Sequence, residues 1–122
     1  MDHLANWIEI PVGDLKRAKE FYSMVLDAKL TDLKIQDTEY AIFACEDAYN
    51  CGALACGVLY KPSQDGVVVY LNGQNDLSKF LARVKRAGGT VLVEKTFLAK
   101  EAGYFGLFLD SEGNKIGVQS MS

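Results

Sequence analysis

Histidine is almost missing from this chain: His3 is the only one in 122 residues. A metal centre built on several imidazoles is therefore excluded. Cysteine is scarce too. Cys45, Cys51 and Cys56 are separated by five and four residues rather than by the two of a thiolate knuckle, which argues against a zinc site. Set among Ala, Gly and Leu, they read as three free thiols. There are only two prolines and no low-complexity tract, so nothing points to disorder or to a rigid linker. Basic residues are outnumbered, 13 against 16 acids, for a net charge of −3. Without a basic stripe to neutralise phosphates, nucleic acid is excluded as a partner. The densest basic stretch, Arg83 to Arg86, reads as a solvated helix face. No apolar run reaches the roughly 18 residues of a membrane span, and residues 1–12 lack the charged-then-apolar pattern of a signal peptide. The expectation is a cytoplasmic protein with no membrane partner.

What the sequence does contain is one pattern written twice. Asp14-Leu15 opens a helix and Asp76-Leu77 opens another 62 positions later. The stripe Leu15, Ala18, Tyr22, Val25 falls on Leu77, Phe80, Val84, Ala87. Further on, Tyr40-Ala41-Ile42-Phe43 is echoed by Phe105-Gly106-Leu107-Phe108. A half-chain repeat predicts two equivalent supersecondary units packed as one body. The expected class is therefore α+β, two tandem β-α-β-β-β units forming a cupped mixed sheet. Residues 1–122 read as one domain with internal units at about 1–61 and 66–122.

Within the first unit, residues 5–12 read as a strand, Leu15–Leu26 as a helix capped by Asp14, and residues 29–36, 39–45 and 53–60 as strands, with a loop at 47–50. Residues 61–66 are the linker. In the second unit, residues 67–71 read as an all-apolar strand buried on both faces. A helix at 76–87 ends at Gly88-Gly89, and strands at 90–95, 104–110 and Lys115–Ser120 follow. Gly113 supplies the positive φ of the last turn.

The alternation from Trp7 to Val12 puts Ile8, Ile10 and Val12 on one face and Trp7 and Glu9 on the other. With the helix covering the first face, Trp7 and Glu9 point into the open one. Two curved sheets side by side would enclose a cleft suited to a small ligand. Trp7 could stack on a planar ligand and Glu9 could pair with a cation, or Lys115 or Tyr70 could partner Glu9 structurally. Tyr70 and Gln119 would add hydrogen bonds from facing strands, and Gly117 leaves room for a guest or for Trp7.

Residues 7–22 (WIEIPVGDLKRAKEFY) and 103–120 (GYFGLFLDSEGNKIGVQS) resemble the opening and the ending of vicinal oxygen chelate proteins, the glyoxalase/bleomycin-resistance/dioxygenase superfamily. Tyr70-Leu71 and the stretch from Val84 to Val91 fit the same pattern. The resemblance implies the vicinal oxygen chelate fold, a small-molecule ligand and a homodimer, in which Phe97, Tyr104 and Phe105 are residues a second copy could cover. It also implies four His/Glu metal ligands in the enzymes of the superfamily. Here the matching positions hold Trp7, Val68 (or Val69), Gly117 and the segment 54–57 of Leu, Ala, Cys and Gly. None is an imidazole or carboxylate, so no metal and no other cofactor is expected. No catalytic residue is nominated. The reading that follows is a glyoxalase/bleomycin-resistance-like protein binding a small organic molecule without the usual metal. The alternatives are a lyase, isomerase or dioxygenase-type enzyme with a non-standard site, and a non-catalytic interaction module.

Overall fold

In the computed structural model, which describes residues 1–46 and 51–122, the repeat becomes two matching units. The first runs β1 (Trp7–Pro11), α1 (Leu15–Leu26), β2 (Thr31–Ile35), β3 (Thr38–Ile42), β4 (Cys51–Cys56); the second runs β5 (Tyr70–Asn72), α2 (Leu77–Arg86), β6 (Thr90–Ala99), β7 (Gly103–Leu109), β8 (Lys115–Ser120). The sheets are ordered β1-β4-β3-β2 and β5-β8-β7-β6. In each, the first strand is parallel to the last and the remaining pairs are antiparallel. The pair Ile10–Leu54 of the first sheet has its counterpart in Leu71–Val118 of the second. The loop expected at residues 47–50 lies outside the described residues.

Both helices start where an aspartate can accept a free N–H of the first turn. Asp14 accepts from Arg17 N at 3.1 Å and Asp76 from Ser78 N at 3.0 Å. They end differently. Gly88 takes φ 96° after α2, whereas Asp27 itself adopts φ 51° to close α1, a conformation that a short polar side chain tolerates. The buried stripes are Ala18, Phe21, Tyr22, Val25 and Leu77, Phe80, Leu81, Val84. The two helices pack against each other, and among the described residues no strand backbone of one sheet lies close to a strand backbone of the other. One core cluster draws on both units, from Ile10 and Tyr22 to Phe80, Phe108 and Val118.

Three sequence expectations are corrected. The apolar stretch 67–71 is not a strand buried on both faces: pairing with β8 begins only at Tyr70, and Val67 is 91% exposed. An apolar run reports composition, and burial needs a covering element that this segment lacks. Cys45 and Cys51 are not free; they form a disulfide, leaving Cys56 as the free thiol. Arg83 does not belong to a solvated face, because it lies half-buried, donates from Nε to Val25 O at 2.8 Å and rests over the Phe80 ring. Strand ends also move: β1 and β3 are shorter than expected, and β6 runs on to Ala99 through register shifts.

The units are also joined by the turn between β7 and β8. Asp110, 5% exposed, accepts hydrogen bonds from Tyr22 OH (2.6 Å), Asn114 Nδ2 (3.0 Å), Glu112 N and Asn114 N (both 2.9 Å). Asn114 Nδ2 also donates to Pro11 O at 2.8 Å. Burial pushes the Tyr22 phenol well above its ordinary pKa, and the Asp110 carboxylate beside it pushes further in the same direction. Here the turn of the second unit is bolted to the helix and first strand of the first.

Candidate functional site

Period two in β1 turns Ile10 into the core, 2% exposed, and Trp7 to the other face of the sheet, 44% exposed. Glu9 shares that face and is held there. Trp7 Nε1 donates to Glu9 Oε2 at 3.3 Å and Tyr60 OH donates to Glu9 Oε1 at 2.6 Å. Tyr60 lies edge-on to Tyr40, ring centroids 6.4 Å apart. The hydrogen bond to Glu9, followed by one with Tyr40, raises the Tyr60 phenol pKa, so Tyr60 stays a donor across the physiological range. The carboxylate is therefore exposed yet oriented, inside a wall of Trp7, Tyr40 and Tyr60. Its structural partners are Trp7 and Tyr60, not the Lys115 or Tyr70 weighed from the sequence.

Tyr70 and Gln119 lie on the second sheet. The Tyr70 ring covers Gly117, where a Cβ would come within 2.6 Å of it. Gly117 is thus explained by Tyr70, rather than by a guest or by Trp7. The ring also tilts against Phe105 at 6.4 Å. Gln119 Nε2 donates to Ala102 O. The structure so brings Trp7 to Glu9, and sets Tyr70 and Gln119 on neighbouring strands. It does not join the two pairs: among the described residues no hydrogen bond or ring contact links them.

Sequence reasoning passed over Tyr40 and Tyr60. Tyr40 could have been found from the strand pairing, since it sits opposite Ala55 on β4 while Glu9 sits opposite Ala53. Tyr60 lies beyond β4, past a turn in which its N–H bonds Gly57 O, and no local pattern marks it. As for metal, the resemblance places the ligand positions at Trp7, Val68 or Val69, Gly117 and residues 54–57, which hold no imidazole or carboxylate and one thiol, that of Cys56. Among the described residues no three His, Cys, Asp or Glu side chains gather into a group that could hold an ion. The residues present do not fit such a centre. No helix is long and apolar enough to cross a membrane.

The family model described as Glyoxalase/Bleomycin resistance protein/Dioxygenase superfamily matches residues 1–118. No curated protein matches the chain. Among solved structures, a glyoxalase I variant from Zea mays is similar at 24% identity and TM-score 0.73, over 95% of this chain but only 45% of its own. An antibiotic binding protein, TnmS3 from Streptomyces sp. CB03234, is similar at 22% identity and TM-score 0.66, over 100% of this chain and 99% of its own. A glyoxalase/bleomycin resistance protein/dioxygenase family enzyme from Burkholderia phytofirmans PsJN aligns at 13% identity and TM-score 0.70, over 96% of this chain and 98% of its own.

Proposed function

Given that the chain belongs to the Glyoxalase/Bleomycin resistance protein/Dioxygenase superfamily, we propose that it binds a small planar, cationic organic molecule against the open face of its first sheet, without a metal. The observation that carries this is the pre-oriented, exposed Glu9 carboxylate, flanked by Trp7, Tyr40 and Tyr60. Aromatic faces attract a flat cation, and an oriented carboxylate fixes its charge. The antibiotic binding protein among the similar folds is a second support. Residues 1–122 act as one domain of two units, about 1–61 and 66–122, as the shared core favours.

The test uses proflavine, a flat aromatic cation, and the single tryptophan as its own reporter. Proflavine is expected to quench Trp7 fluorescence in a saturable manner. Glu9→Gln keeps an acceptor for Tyr60 but removes the charge, and should weaken binding about tenfold or more, as loss of a charge-assisted hydrogen bond costs about 1.5–3 kcal/mol. Equal affinity in the two proteins would place the recognition elsewhere.

We also propose a homodimer in which the open face of the first unit of one copy meets that of the second unit of the other. This brings Trp7 and Glu9 opposite Tyr70 and Gln119 in two equivalent clefts. Exposed Leu33, Ile35, Tyr70 and Phe97 give it apolar surface to bury. Two copies also make up about the length of the Zea mays glyoxalase I, of which this chain covers 45%. Sedimentation should give twice 13.4 kDa at micromolar concentration. A species of 13.4 kDa alone would sink the dimer and the composite cleft with it.

The compartment in this reading is the cytoplasm, where thiol buffers keep cysteines reduced. Alkylation in denaturant at lysis should then label Cys45 and Cys51 as well as Cys56, the thiol pool having opened the disulfide seen in the structure. Labelling of Cys56 alone would mean that the disulfide persists in the cell and would move the chain to an oxidising compartment.

A further inference from the structure

We infer that the groove between the two units, on the helix side of the sheets and separate from the open faces, is a second binding site, for a small apolar carboxylate. The groove has a volume of about 510 Å³ and is walled by Leu26 and Phe43 of the first unit and Leu71 and Phe80 of the second. That volume falls within the range of ordinary small-molecule pockets, roughly 300–1,000 Å³. Ile8 lines it, whereas Trp7 and Glu9, on the opposite face of β1, do not. The Cys45–Cys51 disulfide forms part of the same wall.

The charged residues that line the groove choose the ligand. Arg83 and Lys29 contribute two cations and Asp27 one anion. Arg83 is fixed by its Nε bond to Val25 O at 2.8 Å and by the Phe80 ring 5.6 Å beneath its guanidinium carbon. Its two terminal nitrogens have no hydrogen-bond partner among the described residues. A held guanidinium with two parallel donors free matches the two oxygens of a carboxylate. The apolar walls then take the hydrocarbon body, while Asp27 opposes any ligand of higher negative charge. A monocarboxylate on an apolar body satisfies all three features together. An alcohol of the same length would fill the walls and leave Arg83 unsatisfied, and an organic cation would meet two like charges.

Calorimetric titration with octanoate and with 1-octanol tests this. Octanoate is expected to bind at least tenfold more tightly. Arg83→Gln should remove that advantage while leaving 1-octanol binding as it was, which separates lost recognition from lost folding. Asp27→Asn keeps a residue suited to the positive φ of that position, 51°, and should tighten octanoate about twofold to threefold by removing a repulsive charge. Glu9→Gln should leave octanoate binding unchanged, so that success or failure here is independent of the open-face site. On the unaltered protein, octanoate should shift the amide resonances of Leu26, Phe43 and Leu71, a readout that needs no variant to fold. Octanoate binding no tighter than 1-octanol, amide shifts confined to the open faces, or a folded Arg83→Gln variant with undiminished octanoate affinity would each overturn the proposal.

Discussion

Asp110→Ala is expected to destabilise the fold by about 3–5 kcal/mol, the cost typical of removing one member of a buried charged hydrogen-bond set. For a chain of this length that corresponds to a fall in Tm on the order of 10–20 °C. The carboxylate accepts four hydrogen bonds, and two of their donors are buried side chains, Tyr22 OH and Asn114 Nδ2. Asn114 retains Pro11 O as a second acceptor. Tyr22, wholly buried, has no alternative hydrogen-bond partner among the described residues and would be left with an unsatisfied hydroxyl. The network is therefore expected to be strongly coupled. Tyr22→Phe should cost about 1–3 kcal/mol in the parent and much less in the Asp110→Ala background, where the hydroxyl is already a liability. Denaturant melts of the four proteins of this cycle measure the coupling. Equal costs of Tyr22→Phe in both backgrounds would show that the short contact does not hold the units together.

This network marks where the sequence stops being legible. The two helices could be read, caps and stripes included, because helix periodicity and N-capping act over a few residues; Asp14, Asp76, Ala18, Tyr22, Phe80 and Val84 behave as those rules require. The Asp110–Tyr22 bond spans 88 positions, and in the sequence Asp110 is simply the residue before a hairpin turn. The candidate site divides the same way. The alternation in β1 identified Trp7 and Glu9 as neighbours on one face. What holds Glu9 is Tyr60, 51 positions on, after a turn that no periodicity announces. The Cys45–Cys51 pair was hidden because spacing alone does not tell that Cys45, beyond the end of β3, meets Cys51 at the start of β4. Val67 shows the opposite failure, in which a local signal was present and the covering partner was not. Local chemistry wrote the elements, and the seam between the units was written by contacts that only folding assembles.

Acidification is expected to loosen that seam at Glu112. Its side chain is fully buried against Arg17, whose Nε approaches Oε2 at 2.8 Å and Nη2 approaches Oε1 at 2.9 Å. The backbone N–H groups of Gly13 and Asp14 also donate to Oε1, at 3.0 and 2.9 Å, and Ser111 Oγ donates to Oε2 at 2.9 Å. A carboxylate from the β7–β8 turn thus sits at the start of α1, where unpaired N–H groups and the helix dipole favour negative charge. Burial on its own would raise the Glu112 pKa. The donors from Arg17, Asp14, Ser111 and Gly13 outweigh it and bring the pKa from 4.5 down to about 2. Because the folded value lies below the unfolded one, the unfolded chain takes up the proton first. The stabilisation is complete above about pH 4.5 and is lost as the pH falls towards 2. Allowing for solvent screening, its size is about 2 kcal/mol. Glu112→Gln should therefore melt well below the parent at pH 7, and the gap should close on acidification, the parent falling more steeply between pH 5 and pH 2. Thermal melts of the two proteins across that range read it directly. If the two curves run parallel, the ionised form of Glu112 adds nothing to the seam, and its contacts with Arg17 and the first turn of α1 are no stronger than a neutral amide would make.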